Sequence, residues 1–359
     1  MTTKSNIRIV DIAKMAGVSV GTVDRILHNR GHVSEDKRER VEKILKEIDY
    51  QPNMVARFLA SKKIYTLAAI IPTSTTGSYW ELASEGISRA VQELSKFNIR
   101  LEYFHFDQYD RSSFVNASKK LLREKFDGAI IATLFGDHVI DLSKKLDHKE
   151  IPYAYIDSNI SMQNNLFYFG GDSYVSGQIA AKLLIQEVGV NADLFFAHIK
   201  FKHSEISVQM KTRENGFMDY LRSSNYSGRL HHLELDPDKE NEALHKLRVL
   251  LDEYQNTAIG GIVLNSRIYE LVAMLDKLEK RYTSKVRLVG HDAIESNIKA
   301  LKEGKVAYLL SQRPDTQGYD AVKALSNSLL FRQEYEKDNY MPIDILIKEN
   351  IDYYKNYKL

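Results

Sequence analysis

Cysteine is absent from the 359-residue chain. That excludes disulfides, a thiolate nucleophile and any zinc site built on sulfur, and with them a large part of enzyme chemistry. Long apolar runs are missing as well: 43% of the residues are hydrophobic, yet no run approaches the roughly 20 residues that span a bilayer. The chain reads as one that does not enter a membrane. Residues 1–6 are polar and lead straight into a helical pattern, without the apolar stretch and small-residue cleavage site of a secretory signal, so a cytoplasmic location is the expectation. Neither G-x-G-x-x-G nor a P-loop follows a strand-like run, and nothing in the sequence asks for a cofactor. Net charge is small too, at +2, but it is unevenly placed. Residues 1–63 carry 13 Lys and Arg against 8 Asp and Glu, a balance of +5 that leaves −3 for the remainder. Basic excess confined to one short module points modestly to nucleic acid, because neutralising phosphate is what Lys and Arg do most readily. The length itself suits two or three domains.

What is present in that module is three short amphipathic helices. Ile12, Ala13 and Ala16 form the apolar face of the first, and Gly17 stands where a helix C-terminus favours a left-handed residue. Ser19 is placed to cap a second helix. Val23, Ile26 and Leu27 make the packing stripe of that helix, while Val20, Gly21, Asp24, Arg25 and His28 make the opposite, presented one. A third helix opens near Ser34 and is expected to bury Val41, Ile44, Leu45 and Ile48. Helix, glycine turn and a helix with a small polar face is the pattern of a helix-turn-helix. On pattern alone, a generic three-helix bundle stays open.

The stretch "IRIVDIAKMAGVSVGTVDRILHNRGHVSEDKRERVEKILKEIDYQPNMVARFLASKK" closely resembles the DNA-binding headpiece of the lactose-repressor/galactose-repressor (LacI/GalR) family over its full length. The resemblance implies that Val20, Gly21 and Arg25 face base edges, with Arg25 the partner of a guanine, and that Thr22 and Asn29 meet phosphate. It further implies that residues 53–63 become a hinge helix on the operator, bringing Asn53, Ala56 and Leu59 to DNA, with Leu59 wedged into the minor groove. The alternative is a plain interdomain linker, although Met54, Val55, Phe58 and Leu59 are apolar for one. Asp24 departs from the family, which more often has a small hydroxyl residue there. It either pairs within the protein, for example with His28 one turn on, or accepts from a cytosine amino group.

From residue 65 onward, apolar runs alternate with helical segments: "TLAAIIP", "IRLEYFHF", "GAIIAT", "PYAYID", "ADLFFAH", "GGIVLN", "VRLVGHD" and "VAYLLS". Such alternation implies parallel sheets covered on both faces, and so long a region implies two doubly wound lobes with a ligand site between them at the strand ends. The region resembles type I periplasmic sugar-binding proteins of the ribose-binding type, and so the effector domain of the same repressor family. By that resemblance Tyr79 and Trp80 flank a sugar, and Asp157, Arg213, Asn265, Asp292 and Gln312 supply its polar contacts. Carboxylates as paired acceptors, an arginine fork as donor and aromatic faces over C–H surfaces suit vicinal hydroxyls. Lobe packing for Tyr79 and Trp80, surface ion pairs for Asp157 and Arg213, and helix capping for Asn265 stay open. Ser266 and Ala293 stand where the family often has acids.

The expected architecture is therefore an all-α helix-turn-helix headpiece (residues 1–50), a hinge (51–63) and an α/β two-lobe doubly wound, periplasmic-binding-protein-like domain (64–359). Lobe 1 is expected at about 64–165 and 313–338, and lobe 2 at about 166–312 and 339–359. The expected function is a homodimeric transcriptional regulator, a repressor by family habit, whose affinity for double-stranded operator DNA is controlled by a monosaccharide or a derivative. A sugar-sensing protein without control of DNA, or a regulator of a non-sugar ligand, is the alternative. No catalytic residue is identified: "GDS" at 171–173 matches the opening of one esterase class in three residues only. No metal ligand is identified either, since His198 and His203, or His231 and His232, lack a carboxylate context in the sequence.

Overall fold

Gly17, at φ +63°, ends helix α1 (Ile9–Ala16) in a Schellman turn, in which the Gly17 and Val18 amides donate to the carbonyls of Lys14 and Ala13. Ser19 follows as the cap of α2 (Val20–Leu27): its hydroxyl accepts from the Thr22 amide at 3.2 Å. With α3 (Glu35–Glu47) these helices bury Ile12, Ala13, Ala16, Val23, Ile26 and Val41. Of the residues expected in the core, Leu27, Ile44, Leu45 and Ile48 are only partly buried, because three short helices leave every outer position half open to water. This computed structural model describes residues 9–27, 31–48, 63–200, 207–254 and 256–354, and the chain divides into two units, Met1–Ser61 and Lys62–Leu359.

In the second unit the first lobe begins with β1 (Tyr65–Pro72), α4 (Tyr79–Leu94) and β2 (Ile99–Phe106). It continues through α5 (Arg111–Leu121), β3 (Gly128–Ala132), α6 (Gly136–His148), β4 (Tyr153–Ile156) and β5 (Phe167–Gly171). The second lobe takes α7 (Ser173–Val188), β6 (Leu194–Ile199), α8 (Val208–Ser223), β7 (Leu230–Leu235) and α9 (Glu240–Leu251). There follow β8 (Ile259–Ile262), α10 (Ile268–Leu275), α11 (Lys280–Thr283), β9 (Val286–His291), α12 (Glu295–Lys302) and β10 (Tyr308–Ser311). Helix α13 (Pro314–Phe331) and β11 (Asp338–Met341) return to the first lobe, and β12 (Asp344–Leu346) and α14 (Ile351–Tyr354) to the second. Sheet 1 has the order β11-β5-β4-β3-β1-β2 and is parallel throughout; sheet 2 has β12-β10-β9-β8-β6-β7, with β12 alone antiparallel to its neighbour.

The chain crosses between lobes three times, and two crossings lie later than the sequence boundaries. Because β5 pairs with β4, the first crossing follows Gly171 rather than residue 165; because β11 pairs with β5, the last follows Met341 rather than 338. At the middle crossing Arg313, at φ +52°, forks onto Asp344 with nitrogen–oxygen distances of 2.7 and 2.8 Å. Each lobe also has one tight helix pair. In the second, a Cβ on Gly177 of α7 would stand 1.9 Å from the Arg213 carbonyl oxygen of α8, so glycine sets the approach that carries Arg213 to the cleft. Among the described residues no helix is long and apolar enough to cross a membrane.

Candidate functional site

The carboxyl ends of both sheets face a cleft of about 690 Å³. Two aspartates stand immediately past central strands, Asp157 after β4 and Asp292 after β9, and both hold left-handed backbone conformations, φ +82° and +67°. A non-glycine residue in that region is strained, by at most about 1–3 kcal/mol and less for aspartate, which tolerates it better than most, and such conformations collect where function fixes a side-chain direction. Hydrogen bonds hold them: the Asp292 amide donates to Leu310 at 2.7 Å, and the Asp157 amide to the Gln317 side chain at 3.2 Å.

Asp157 accepts from the Tyr79 hydroxyl at 3.0 Å, the Gln209 amide at 2.8 Å and the Ser158 hydroxyl at 3.2 Å. Among the described residues Asp292 accepts a single long bond, from Gln312 at 3.4 Å. Arg213 is 1% exposed and does not line the cleft; it donates to the Leu264 carbonyl at 2.8 Å, while among the described residues its buried Nε has no hydrogen-bond partner. Burial raises the pKa of both carboxylates and the Arg213 cation partly offsets it. Asp292, with fewer donors and with Asp157 nearby, is pushed up to about 6. Burial also holds the Tyr79 hydroxyl well above its ordinary value, so it stays a donor.

Five of the seven expected ligand residues line the cleft: Tyr79, Trp80, Asp157, Asn265 and Asp292. Tyr79 and Trp80 meet edge to face with centroids 5.0 Å apart, and both open α4, whose cap is Ser78. Arg213 and Gln312 are buried and do not line the cleft. A surface ion pair for Asp157 or Arg213 is ruled out by their burial, whereas Asn265 does turn its side-chain oxygen to the Arg267 amide at 3.0 Å, ahead of α10. Sequence reasoning missed Gln209, which spans the lobes to Asp157, and Gln317, which ties Asp157 to the Gln312 carbonyl at 2.8 Å. The signal for Gln209 was available: it precedes Arg213 by one helical turn on α8 and shares its face. Also missed were His198, Glu214 and His232, which come together on the cleft wall of the second lobe.

In the headpiece, Val20, Gly21 and Arg25 are exposed on α2, and Thr22 and Asp24 are half-buried. Asn29, Asn53, Ala56 and Leu59, together with the suggested Asp24 partner His28, lie outside the described residues.

Residues 8–53 match the family described as bacterial regulatory proteins, lacI family, and residues 68–333 match the periplasmic binding protein domain. The chain is 26% identical to the ribose operon repressor of Halalkalibacterium halodurans over 80% of each protein. It is 23% identical to the sucrose operon repressor of Pediococcus pentosaceus over 79% of this chain and 82% of that one. With catabolite control protein A of Streptococcus mutans it is 29% identical, over about half of either length (51% and 53%). Among solved structures, one described as a LacI transcriptional regulator from Bacteroides fragilis superposes with a TM-score of 0.74 at 35% identity, covering 81% of this chain and 100% of that one. A glucose-galactose binding protein from Geobacillus stearothermophilus, at 22% identity, TM-score 0.66 and coverage of 80% and 99%, shares the fold. With a headpiece of one kind joined to a two-lobed domain of the other, the chain belongs to the lacI family of bacterial regulatory proteins.

Proposed function

We propose that the chain is a cytoplasmic, homodimeric repressor whose grip on operator DNA is set by a monosaccharide or sugar derivative bound between the two lobes. The observation that carries the ligand half is the pair of buried aspartates, Asp157 on the first lobe and Asp292 on the second, near a buried guanidinium, with Tyr79 and Trp80 beside Asp157 on the first lobe. Two carboxylates accept from vicinal hydroxyls, and the aromatic pair covers C–H surface. A hydroxyl arriving at Asp157 exchanges for the Gln209 amide, so the ligand replaces a contact that already runs between lobes. Hydrogen bonds to charged groups contribute about 1.5–3 kcal/mol each, and four or five of them suffice for micromolar binding after ordering costs. The names of the sucrose and ribose operon repressors support the same ligand class.

The DNA half rests on the exposed face of α2. Val20, Gly21 and Arg25 read bases, Thr22 and Asn29 contact phosphate, and Asn53, Ala56 and Leu59 follow in the hinge. One headpiece of this size covers too little DNA for tight specific binding, whereas two read half-sites about one helical turn apart. A thermal-shift screen of the purified chain against pentoses, hexoses and sugar acids tests the reading. We expect a stabilising sugar whose effect disappears in Asp157→Asn. A panel without a hit, or a hit that Asp157→Asn retains, contradicts it.

A further inference from the structure

His198 near the end of β6 and His232 on β7 lie on one face of sheet 2, because His232 is the register partner of Phe196, two residues before His198. Helix α8 covers that face and brings Glu214 to the same point. One donor atom from each of the three lies within 4.8 Å of the other two. The two imidazole nitrogens, His198 Nε2 and His232 Nδ1, are 3.4 Å apart. Two ligands on a tetrahedral zinc with bonds of about 2.0–2.1 Å stand about 3.3–3.4 Å apart, so this separation already suits a shared ion. We propose that His198, His232 and Glu214 form a three-ligand site for a divalent transition-metal ion of the zinc type, with its fourth position open to the cleft.

The surroundings favour it. Lys200, the nearby cation on the same wall, is neutralised by Glu234 at 2.6 Å. Two imidazoles and one carboxylate are borderline donors, which suit zinc, nickel or cobalt better than calcium or magnesium. Three protein ligands with one vacant position is the arrangement of sites that take water or an outside ligand, and all three residues line the cleft. His231, the neighbour of His232, turns to the other face and meets Asp193 and Tyr254 at 3.4 and 3.1 Å. It is a control within the same strand.

The test is titration of the full chain, untagged and stripped with chelator, with zinc chloride by calorimetry and with cobalt(II) by visible absorption. One ion per chain is expected, with His231→Ala unchanged. His198→Ala, His232→Ala and Glu214→Gln should each weaken binding by more than about tenfold, since even outer-shell partners of a metal carry 10–100-fold. Circular dichroism of each variant checks the fold, and His232, being exposed, is the substitution least able to disturb it. Absence of saturable binding by the wild-type chain overturns the site, leaving the imidazoles a hydrogen-bonded pair. Binding undiminished in His232→Ala overturns it too, and loss in the histidine variants without loss in Glu214→Gln overturns the three-ligand assignment. None of these outcomes bears on the sugar reading, because no sugar enters the experiment.

Discussion

Asp292→Asn should stabilise the ligand-free protein while destroying its ligand site. Burial, with Asp157 close by, holds the Asp292 carboxyl at about 6 against an ordinary 3.8. That difference of about two units, at about 1.4 kcal/mol per unit, makes its ionised form cost on the order of 3 kcal/mol in the folded state. At 3% exposure there is little solvent to screen it. The sign follows from proton counting. Between about pH 4 and 6 the folded chain keeps a proton that the unfolded chain has released, so stability falls as the pH rises through that window and is level above it. Asparagine imitates the protonated acid and cannot ionise. In thermal unfolding without ligand, the variant should therefore melt roughly 6 °C above wild type at pH 8, taking about 2 °C per kcal/mol for a domain of this size. The gap should close as the pH falls toward 4. A gap equal at pH 4.5 and 8, or no gap at pH 8, refutes the reasoning.

Arg213→Gln leaves Asp157 and Asp292 buried without their cation. It should lower stability by about 3–5 kcal/mol at pH 8 and by less at pH 5, where Asp292 takes up a proton, as chemical denaturation at both pH values would reveal. Gly177→Ala drives a methyl into the Arg213 carbonyl and should cost about 1–3 kcal/mol or more, read in the same assay, with weakened sugar binding because α8 moves. Ser19→Ala removes the cap of α2 and should cost the headpiece about 1 kcal/mol, seen as a lower melting point for its hydrogen-exchange-protected amides. Arg25→Ala should weaken operator binding by about 1–3 kcal/mol, measured by anisotropy, without changing the melting point or its response to sugar.

Much of the fold was legible because period and punctuation agreed. Gly17 and Ser19 marked the turn of the headpiece, and eight apolar runs became eight strands, seven of them inside their sheets and one, β2, at an edge. The four strands not read were β5, β7, β11 and β12, of which β7, β11 and β12 lie at sheet edges. Edge strands such as "LHHLEL" and "DNYM" bury little and so carry no apolar run. Missing β5 and β11 displaced two lobe boundaries. In the cleft, the aspartates were legible because each follows a strand end. The depth of Arg213 was not, since charge alone suggests a surface and the close α7–α8 approach at Gly177 arises from helix packing. His198, Glu214 and His232 were invisible as a group because they meet through sheet register and helix packing, not through spacing in the chain.

The central claim is that one ligand between the lobes and one DNA on the headpieces share a coupling free energy. It is tested most directly by anisotropy of the full chain on a duplex selected from a random library, with and without a saturating amount of the sugar found by thermal shift. Operator affinity is expected to weaken by a factor of about 5–150, with the same factor in the sugar affinity when DNA is bound. Operator affinity unchanged by a sugar that demonstrably binds would contradict it.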